Sequence, residues 1–379
     1  MKRLLHAWPV GLATLLLLAV LPLAGCDSDD PEPEGVSADV KVMSYNLYLG
    51  GDLFPVTATT TQAEAIAAAT ALWATVQASR FDLRAEAIAD IIEAETPDLI
   101  GLQEVTRYQT QTPSDFVTGT RTPNASTPAI DFLAILMAEL GERGLDYRVV
   151  LEEDNADVEL PTALVANPML PTDFLDVRLT DRDVILARSG VTTANPMVRT
   201  FEIQVGLEVP PASGNTLEFT RSAQWVDATV GDVTFTFANA HLEVEVQLPP
   251  GAPGQPQEGQ ALELIEALGS ETNPVVLVGD FNSPADGSGT RSYALLDVTY
   301  TDSFVEAGVD GGTCCQAPDL RNMTSEFATR IDLILHRGNV ETLSAEIVGD
   351  ESEDRVAVGS DLLWPSDHAG VIATLRIEN

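Results

Sequence analysis

Between residues 39 and 379, apolar runs of strand length alternate with segments of helical composition, and that alternation restricts the body of the chain to an α/β architecture. Residues 40–45 predict a first strand. The Ala-rich residues 62–78 predict a helix, as do residues 82–95, where Leu83, Ala87, Ile88 and Ile91 share one face before Pro97 ends the run. A short apolar strand follows at 98–103. Residues 106–128, rich in Thr, Pro and Asn, read as a long loop, and 129–143 as helix. Further strands are expected at 184–187, 197–209, 223–230 and 233–238, the last two joined by a Gly231-Asp232 turn. An amphipathic helix at 257–268 feeds the very apolar strand 274–278, and late strands fall at 331–335 and 369–377. With no repeat of solenoid period, residues 39–379 read as one domain.

The first residues read differently. Lys2 and Arg3 precede an apolar run at 11–21 that is short for a membrane span and has the shape of a secretory signal. Leu23-Ala24-Gly25-Cys26 closes it and resembles the bacterial lipobox, in which the Cys is diacylated and becomes the new N-terminus. Residues 1–25 are therefore expected to be a lipoprotein signal peptide and Cys26 the lipidation site; an ordinary signal peptide ending beside a Cys is the alternative. Residues 26–38, acidic and Pro-rich, cannot pack a core and read as a tether. The expectation is an exported lipoprotein, anchored in a membrane through its lipid on the periplasmic or extracellular side. Such a compartment permits disulfides, so the adjacent Cys314 and Cys315 are expected to pair and stiffen the loop at 311–313, with two free thiols as the alternative.

Charge narrows the partners. The chain has 58 Asp or Glu against 20 Lys or Arg, a formal charge of −38, with 45% hydrophobic residues. The apolar content suffices for a substantial core. Duplex affinity depends on Lys and Arg neutralising phosphates, which argues against a protein that reads nucleic-acid sequence. No calcium loop of the Asp-x-Asp-x-Asp-Gly kind accounts for the acids. With Lys nearly absent from the body, the acidic surface resembles adaptation to salty surroundings, where screening is strong. Activity assayed across a salt series should persist or rise into the molar range; loss below seawater strength would contradict this.

Polar residues of chemical interest recur at or just past the ends of apolar strands, where the strand fixes a side chain and the loop exposes it. They are Ser44-Tyr45-Asn46, Leu102-Gln103-Glu104, Asn239-Ala240-His241, Gly279-Asp280-Phe281-Asn282, Arg330-Ile331-Asp332 and Ser366-Asp367-His368. Residues two apart on an extended chain share a face, so Asp280 and Asn282 project together while Phe281 turns into the core. Each segment alone has a plainer reading: a solvated strand end for Glu104, a turn residue for Asn46, an Asx turn at 280–282, a satisfied core histidine for His241. His336 reads as a surface or structural histidine. Arg182 and Arg330 sit beside carboxylates and read as ion pairs.

As an ordered set, S-Y-N-L, L-Q-E-V, N-A-H-L, G-D-F-N, R-I-D-L and S-D-H resemble the endonuclease/exonuclease/phosphatase (DNase I-like) superfamily, over residues 40–377. The resemblance implies a four-layer α/β/β/α sandwich, two mostly antiparallel sheets flanked by helices, and divalent-metal-dependent hydrolysis of a phosphate ester. A phosphoester anion repels its nucleophile, so a hard cation on oxygen ligands must neutralise charge. The resemblance gives that task to Glu104 with Asn46, leaves Asp367 as a ligand of a second metal or an orienting group, with one metal or two left open, and implies Mg²⁺, with Mn²⁺ as an alternative. It gives Asp280 the deprotonation of water, and Asn282 a donor to a phosphoryl oxygen. His241 and His368 would donate to the non-bridging oxygens, with Asp332 holding His368 in the donating tautomer.

Two departures bear on substrate. Tyr48 stands where abasic-site nucleases carry an acid, and residues 50–80 lengthen the gap between the first two motifs. With 106–128 they form either a rim that selects substrate or surface decoration. The expected function is a phosphodiesterase or phosphomonoesterase taking a small or lipid substrate, acting as a monomer with no sequence-specific nucleic acid. An extracellular DNA endonuclease of the same superfamily is one alternative; a catalytically silent surface binding module on the same fold is another.

Overall fold

The strand Ser37–Asn46 carries Val40 and Val42 on one face and Met43 and Tyr45 on the other, and all four are fully buried. A strand covered on both faces has to lie between two layers. The computed structural model, which describes residues 36–210, 216–247 and 254–379, shows what those layers are. The expected signal peptide, Cys26 and residues 27–35 of the expected tether lie outside the described residues. Residues Val36–Asn379 pack as one compact unit, and its first strand begins at Ser37, inside the segment expected to be tether.

Among the described residues two large sheets form. One runs in the order Val340–Val348, Gly370–Glu378, Ser37–Asn46, Leu99–Gln103, Phe174–Arg188, Tyr147–Ala163, Thr216–Phe219, Val205–Glu208. The other runs Thr301–Asp302, Asp332–Arg337, Val275–Asp280, Val233–His241, Ser222–Val230, Thr192–Thr200. Alternation decides how they stack. Val40, Val42 and Ile185 of the first sheet meet Val226, Phe235, Phe237, Val276, Val278 and Ile334 of the second in a common core. The intervening residues face away. Met43 and Tyr45 pack on the helices Gln62–Ala78, Phe81–Glu95 and Phe132–Glu142, while Val275, Leu277 and Leu333 pack on Pro256–Leu268 and Ser292–Asp297. The result is helices, sheet, sheet, helices.

Most pairings are antiparallel, but two are parallel and they position the chemistry. Ser37–Asn46 runs parallel to Leu99–Gln103, and Val233–His241 parallel to Val275–Asp280, each pair joined through helix. In register, Asn46 faces Gln103 and His241 faces Asp280, while Asp280 also faces Asp332 across an antiparallel pair. The polar strand ends therefore arrive at one edge of the inter-sheet core.

Four expectations are corrected. Residues 106–128 are not simply loop: Arg107–Gln111 pairs with Thr127–Asp131 and with Phe174–Arg188, because Tyr108 and alternating Thr and Gln suit a half-buried ladder. The helix expected from 129 consequently starts at Phe132, where the Asp131 side chain accepts from the Ala134 N–H. Residues 197–209 divide into two strands belonging to different sheets, since Phe201 turns into the outer core and interrupts the run. The long hairpin of Tyr147–Ala163 with Phe174–Arg188 is also far larger than the short strand expected at 184–187.

Candidate active site

The alternation that buries Val40, Ile185, Phe237, Val278 and Ile334 between the sheets continues to the strand ends. Extended by twos it places Asn46, Asp181, Asp183, His241, Asp280 and Asp332 on the same inner faces, where apolar residues give way to polar ones. A bonded layer separates the two regimes: the Gln103 amide donates to Asn239 Oδ1 (2.7 Å), and the Asn239 amide donates to the Leu102 carbonyl (3.1 Å). All the site residues named here are nearly or wholly buried.

Asp280 is the hub. Its Oδ2 accepts from the Asn46 amide at 3.0 Å and lies 3.6 Å from His241 Nε2 and 3.8 Å from His368 Nε2. Its Oδ1 accepts from the Asn282 N–H at 2.9 Å, so the local Asx turn and the shared polar face coexist. Burial, then the neighbouring Asp332 carboxylate, pushes the Asp280 carboxyl up to about 7. Phe281 packs in the core.

The two histidines differ. His368 Nδ1 contacts Asp332 Oδ2 at 2.9 Å, which directs its Nε2 toward Asp280. Burial opposes its charge, but Asp332, Asp280 and Asp367 together hold the imidazolium well above its ordinary range. His241 Nδ1 lies 3.1 Å from Arg221 Nη1, a group that can only donate, so Nδ1 accepts and the proton sits on Nε2. Burial first, then Arg221, keeps His241 neutral, well below the usual histidine range. Asp183 lies 3.8 Å from the same Nδ1. Asn282 Nδ2 donates to the Leu242 carbonyl and lies 3.3 Å from His241 Nε2, donor beside donor in this tautomer, so the two groups do not bond each other.

Across from Asp280 a cavity of about 400 Å³ opens, with Glu104 and Asp367 in its wall. Asp367 Oδ1 is buried without a hydrogen bond, and its carboxyl is pushed up to about 7 by burial, with His368 opposing and Glu104 adding to the shift. Glu104 Oε2 accepts from the Leu49 N–H (2.7 Å). Two hard carboxylates in the wall of one cavity, one of them with an oxygen left without a donor, fit a divalent cation. Asn46 Oδ1 accepts from the Tyr48 N–H (2.9 Å), so the side chain expected to ligate the cation is engaged at both ends, its amide on Asp280. Tyr48, Glu104 and Asn282 all hold left-handed backbone, φ 60°, 55° and 50°. Conformations of that kind persist where the surroundings over-determine them, and they cluster at functional sites.

Cys314 and Cys315 are paired, and Cys315 lies in the cavity wall. The residues expected to be structural behave so. Arg182 bonds Asp131 (2.6 Å) and Glu152 (2.8 Å), Arg330 bonds Asp302 (2.8 Å), and His336 bonds Glu306 (2.9 Å).

Sequence reading missed Arg84, Arg221, Asp181 and Asp183. Arg84 is the plainest case. It sits three residues after Phe81 and four before Ile88, on the buried face of Phe81–Glu95, and is wholly buried. It donates to the carbonyls of Leu47 and Pro365 (each 2.8 Å), Tyr48 (3.3 Å) and Ser79 (3.1 Å), tying the loops after Asn46 and before Asp367 to one helix. Arg84→Met should lower unfolding free energy by about 3 kcal/mol, because those acceptors lose a buried donor. A denaturation midpoint equal to wild type would contradict that role.

A model described as the Endonuclease/Exonuclease/phosphatase family matches residues 43–368. No curated protein matches the sequence. Among solved structures, the mannosyl-6-phosphatase of Bacteroides thetaiotaomicron shares the fold at 16% identity and TM-score 0.54, with 89% of this chain and 99% of that chain covered. A second Bacteroides thetaiotaomicron protein of that family description gives 16%, TM-score 0.54, 90% and 96%. One from Leptotrichia buccalis gives 13%, TM-score 0.52, 89% and 99%.

Proposed function

From the premise that the chain belongs to the endonuclease/exonuclease/phosphatase family, we propose that it is a divalent-cation-dependent hydrolase of phosphate esters acting on a small or lipid substrate. The observation that carries this reading is the Asp280 carboxylate, bracketed by the Asn46 amide and two imidazole Nε2 atoms, across from Glu104 and Asp367. Glu104 and Asp367 would hold the cation, Mg²⁺ or Mn²⁺, which when bound neutralises phosphoryl charge and lowers the barrier to attack.

The rest falls to the chain. Asp280, desolvated and pushed toward neutrality, suits a general base for water, and the Asn46 amide and the Asn282 N–H, one on each oxygen, fix the orientation of its carboxylate. His368 donates from Nε2 as an imidazolium, with Asp332 keeping its Nδ1 proton in place. His241 donates from Nε2 as a neutral ring. Asn282 supplies an amide beside it. Together they direct donors at oxygens that gain charge as the ester bond breaks.

Size and charge favour a compact substrate over duplex DNA. The cavity is about 400 Å³, its wall is largely apolar, and among the described residues Arg221 is the sole basic residue lining it. The test is a panel of plasmid DNA, bis-p-nitrophenyl phosphate, sphingomyelin and an inositol polyphosphate, each with Mg²⁺ and with EDTA. Turnover of a small ester or lipid is expected. Rapid plasmid nicking would overturn the substrate preference in favour of the endonuclease reading.

A further inference from the structure

The cavity beside the catalytic groups holds one carboxylate with an oxygen that has neither a hydrogen-bond partner nor a place in the reaction. Among the described residues five carboxylates line it, those of Asp52, Glu104, Asp181, Glu243 and Asp367, against one guanidinium, Arg221. Four have an occupation. Asp52 accepts from the Phe54 N–H (2.8 Å), Glu243 pairs with Arg221 (3.6 Å), and Glu104 with Asp367 forms the cation pair described above. Asp181 is 2% exposed, and its Oδ1 makes no hydrogen bond. A desolvated carboxylate oxygen without a donor is unfavourable, and a ligand that brings one relieves it.

The charge balance says what kind of donor. A single divalent cation still leaves the cavity negative, so a phosphate ester with no compensating charge enters against repulsion. A substrate carrying its own cation does not. Besides the acids the wall carries apolar residues, among them Leu53, Phe54, Phe219 and Val246. Phe54 is 66% exposed and begins the short helix Phe54–Thr57, inside the stretch at 50–80 that sequence reading left between a selecting rim and decoration. Aromatic faces next to a carboxylate accommodate an ammonium group on an apolar arm.

We propose that Asp181 is a specificity-determining residue that receives a cationic nitrogen, and that the substrate class is a phosphate ester bearing an ammonium group on a short apolar arm. This rests on the phosphohydrolase reading above and narrows it. Asp181 Oδ1 accepts the ammonium proton, Arg221 faces the phosphoryl end, and the rim at Phe54 covers the arm.

The test compares two ligands of one shape, 2-aminoethyl phosphate and propyl phosphate, by calorimetric titration of the full chain with Mg²⁺. The expected result is binding about tenfold or more tighter for the aminoethyl ester, with the ratio falling near one in Asp181→Asn. Equal affinities in wild type, binding of neither ester, or a ratio retained in the variant would each overturn the proposal. A parallel Mn²⁺ titration of Asp181→Asn separates the roles: a large loss of Mn²⁺ affinity with the ligand ratio intact makes Asp181 a metal ligand and ends the proposal. The wild-type comparison stands even where the variant does not fold. Failure of the hydrolase reading looks different, as preferential binding with no ester in the panel hydrolysed.

Discussion

Asp280→Asn is expected to lower turnover of a phosphodiester by roughly a hundredfold or more while leaving the fold intact. The substitution keeps shape and volume but removes the carboxylate that Asn46, His241 and His368 share, and with it the proton acceptor they surround. Stability should not suffer. Asp280 lies opposite Asp332 in the ladder, and these carboxylates repel one another in a desolvated site, so neutralising one relieves repulsion. The measurement is kcat on bis-p-nitrophenyl phosphate beside the thermal midpoint. A variant with wild-type kcat would remove Asp280 from the chemistry. A variant that loses activity only because it unfolds would leave the role to be read from His368→Ala, for which a loss of similar size is expected.

The second large effect is on folding. Gly279 has φ +154°, and a Cβ there would stand 1.9 Å from the Ala240 carbonyl oxygen and 2.9 Å from its carbon. Those are backbone atoms of the parallel neighbour, which carries His241 one residue later. Moving them would break the ladder that sets His241 opposite Asp280. Gly279→Ala is therefore expected to cost about 4 kcal/mol, and to yield little soluble protein where that exceeds the margin of the fold. Chemical denaturation gives the figure. A midpoint close to wild type would show that the two strands separate more easily than their contacts imply.

How far these residues were legible in the sequence depended on whether their environment was local. Asp280 and Asn282 follow an apolar run, and Asp367-His368 is a compact motif, so adjacency exposed them. The sandwich followed from the same ordered motifs. Asp181 and Asp183 obey the same alternation, four and two residues before Ile185, but the apolar signal of the strand begins only at 184, and the charged half reads as an ion pair of Arg182. Half of that reading held: Arg182 turns outward to Asp131 and Glu152, while the flanking aspartates turn inward. Arg221 and Arg84 take their meaning from partners distant in sequence, His241 and Glu243 for one, the carbonyls of 47–48 and 365 for the other. No local pattern encodes those contacts. The strands Arg107–Gln111 and Thr127–Asp131 were hidden for a related reason, because Pro and Asn in the connection outweighed a short alternation that becomes stable only against the long hairpin.

Metal dependence is where the account is most exposed. The site sets Glu104 and Asp367 beside a cavity without any Lys, and the donors on His241, His368 and Asn282 cannot by themselves neutralise a phosphoryl group entering among so many carboxylates. The most direct measurement is the initial rate on bis-p-nitrophenyl phosphate for the same protein sample with Mg²⁺, after EDTA, and after Mg²⁺ is returned in excess. The account predicts a fall of about a hundredfold or more on chelation and full recovery on return of the cation. Turnover that is indifferent to EDTA would contradict it.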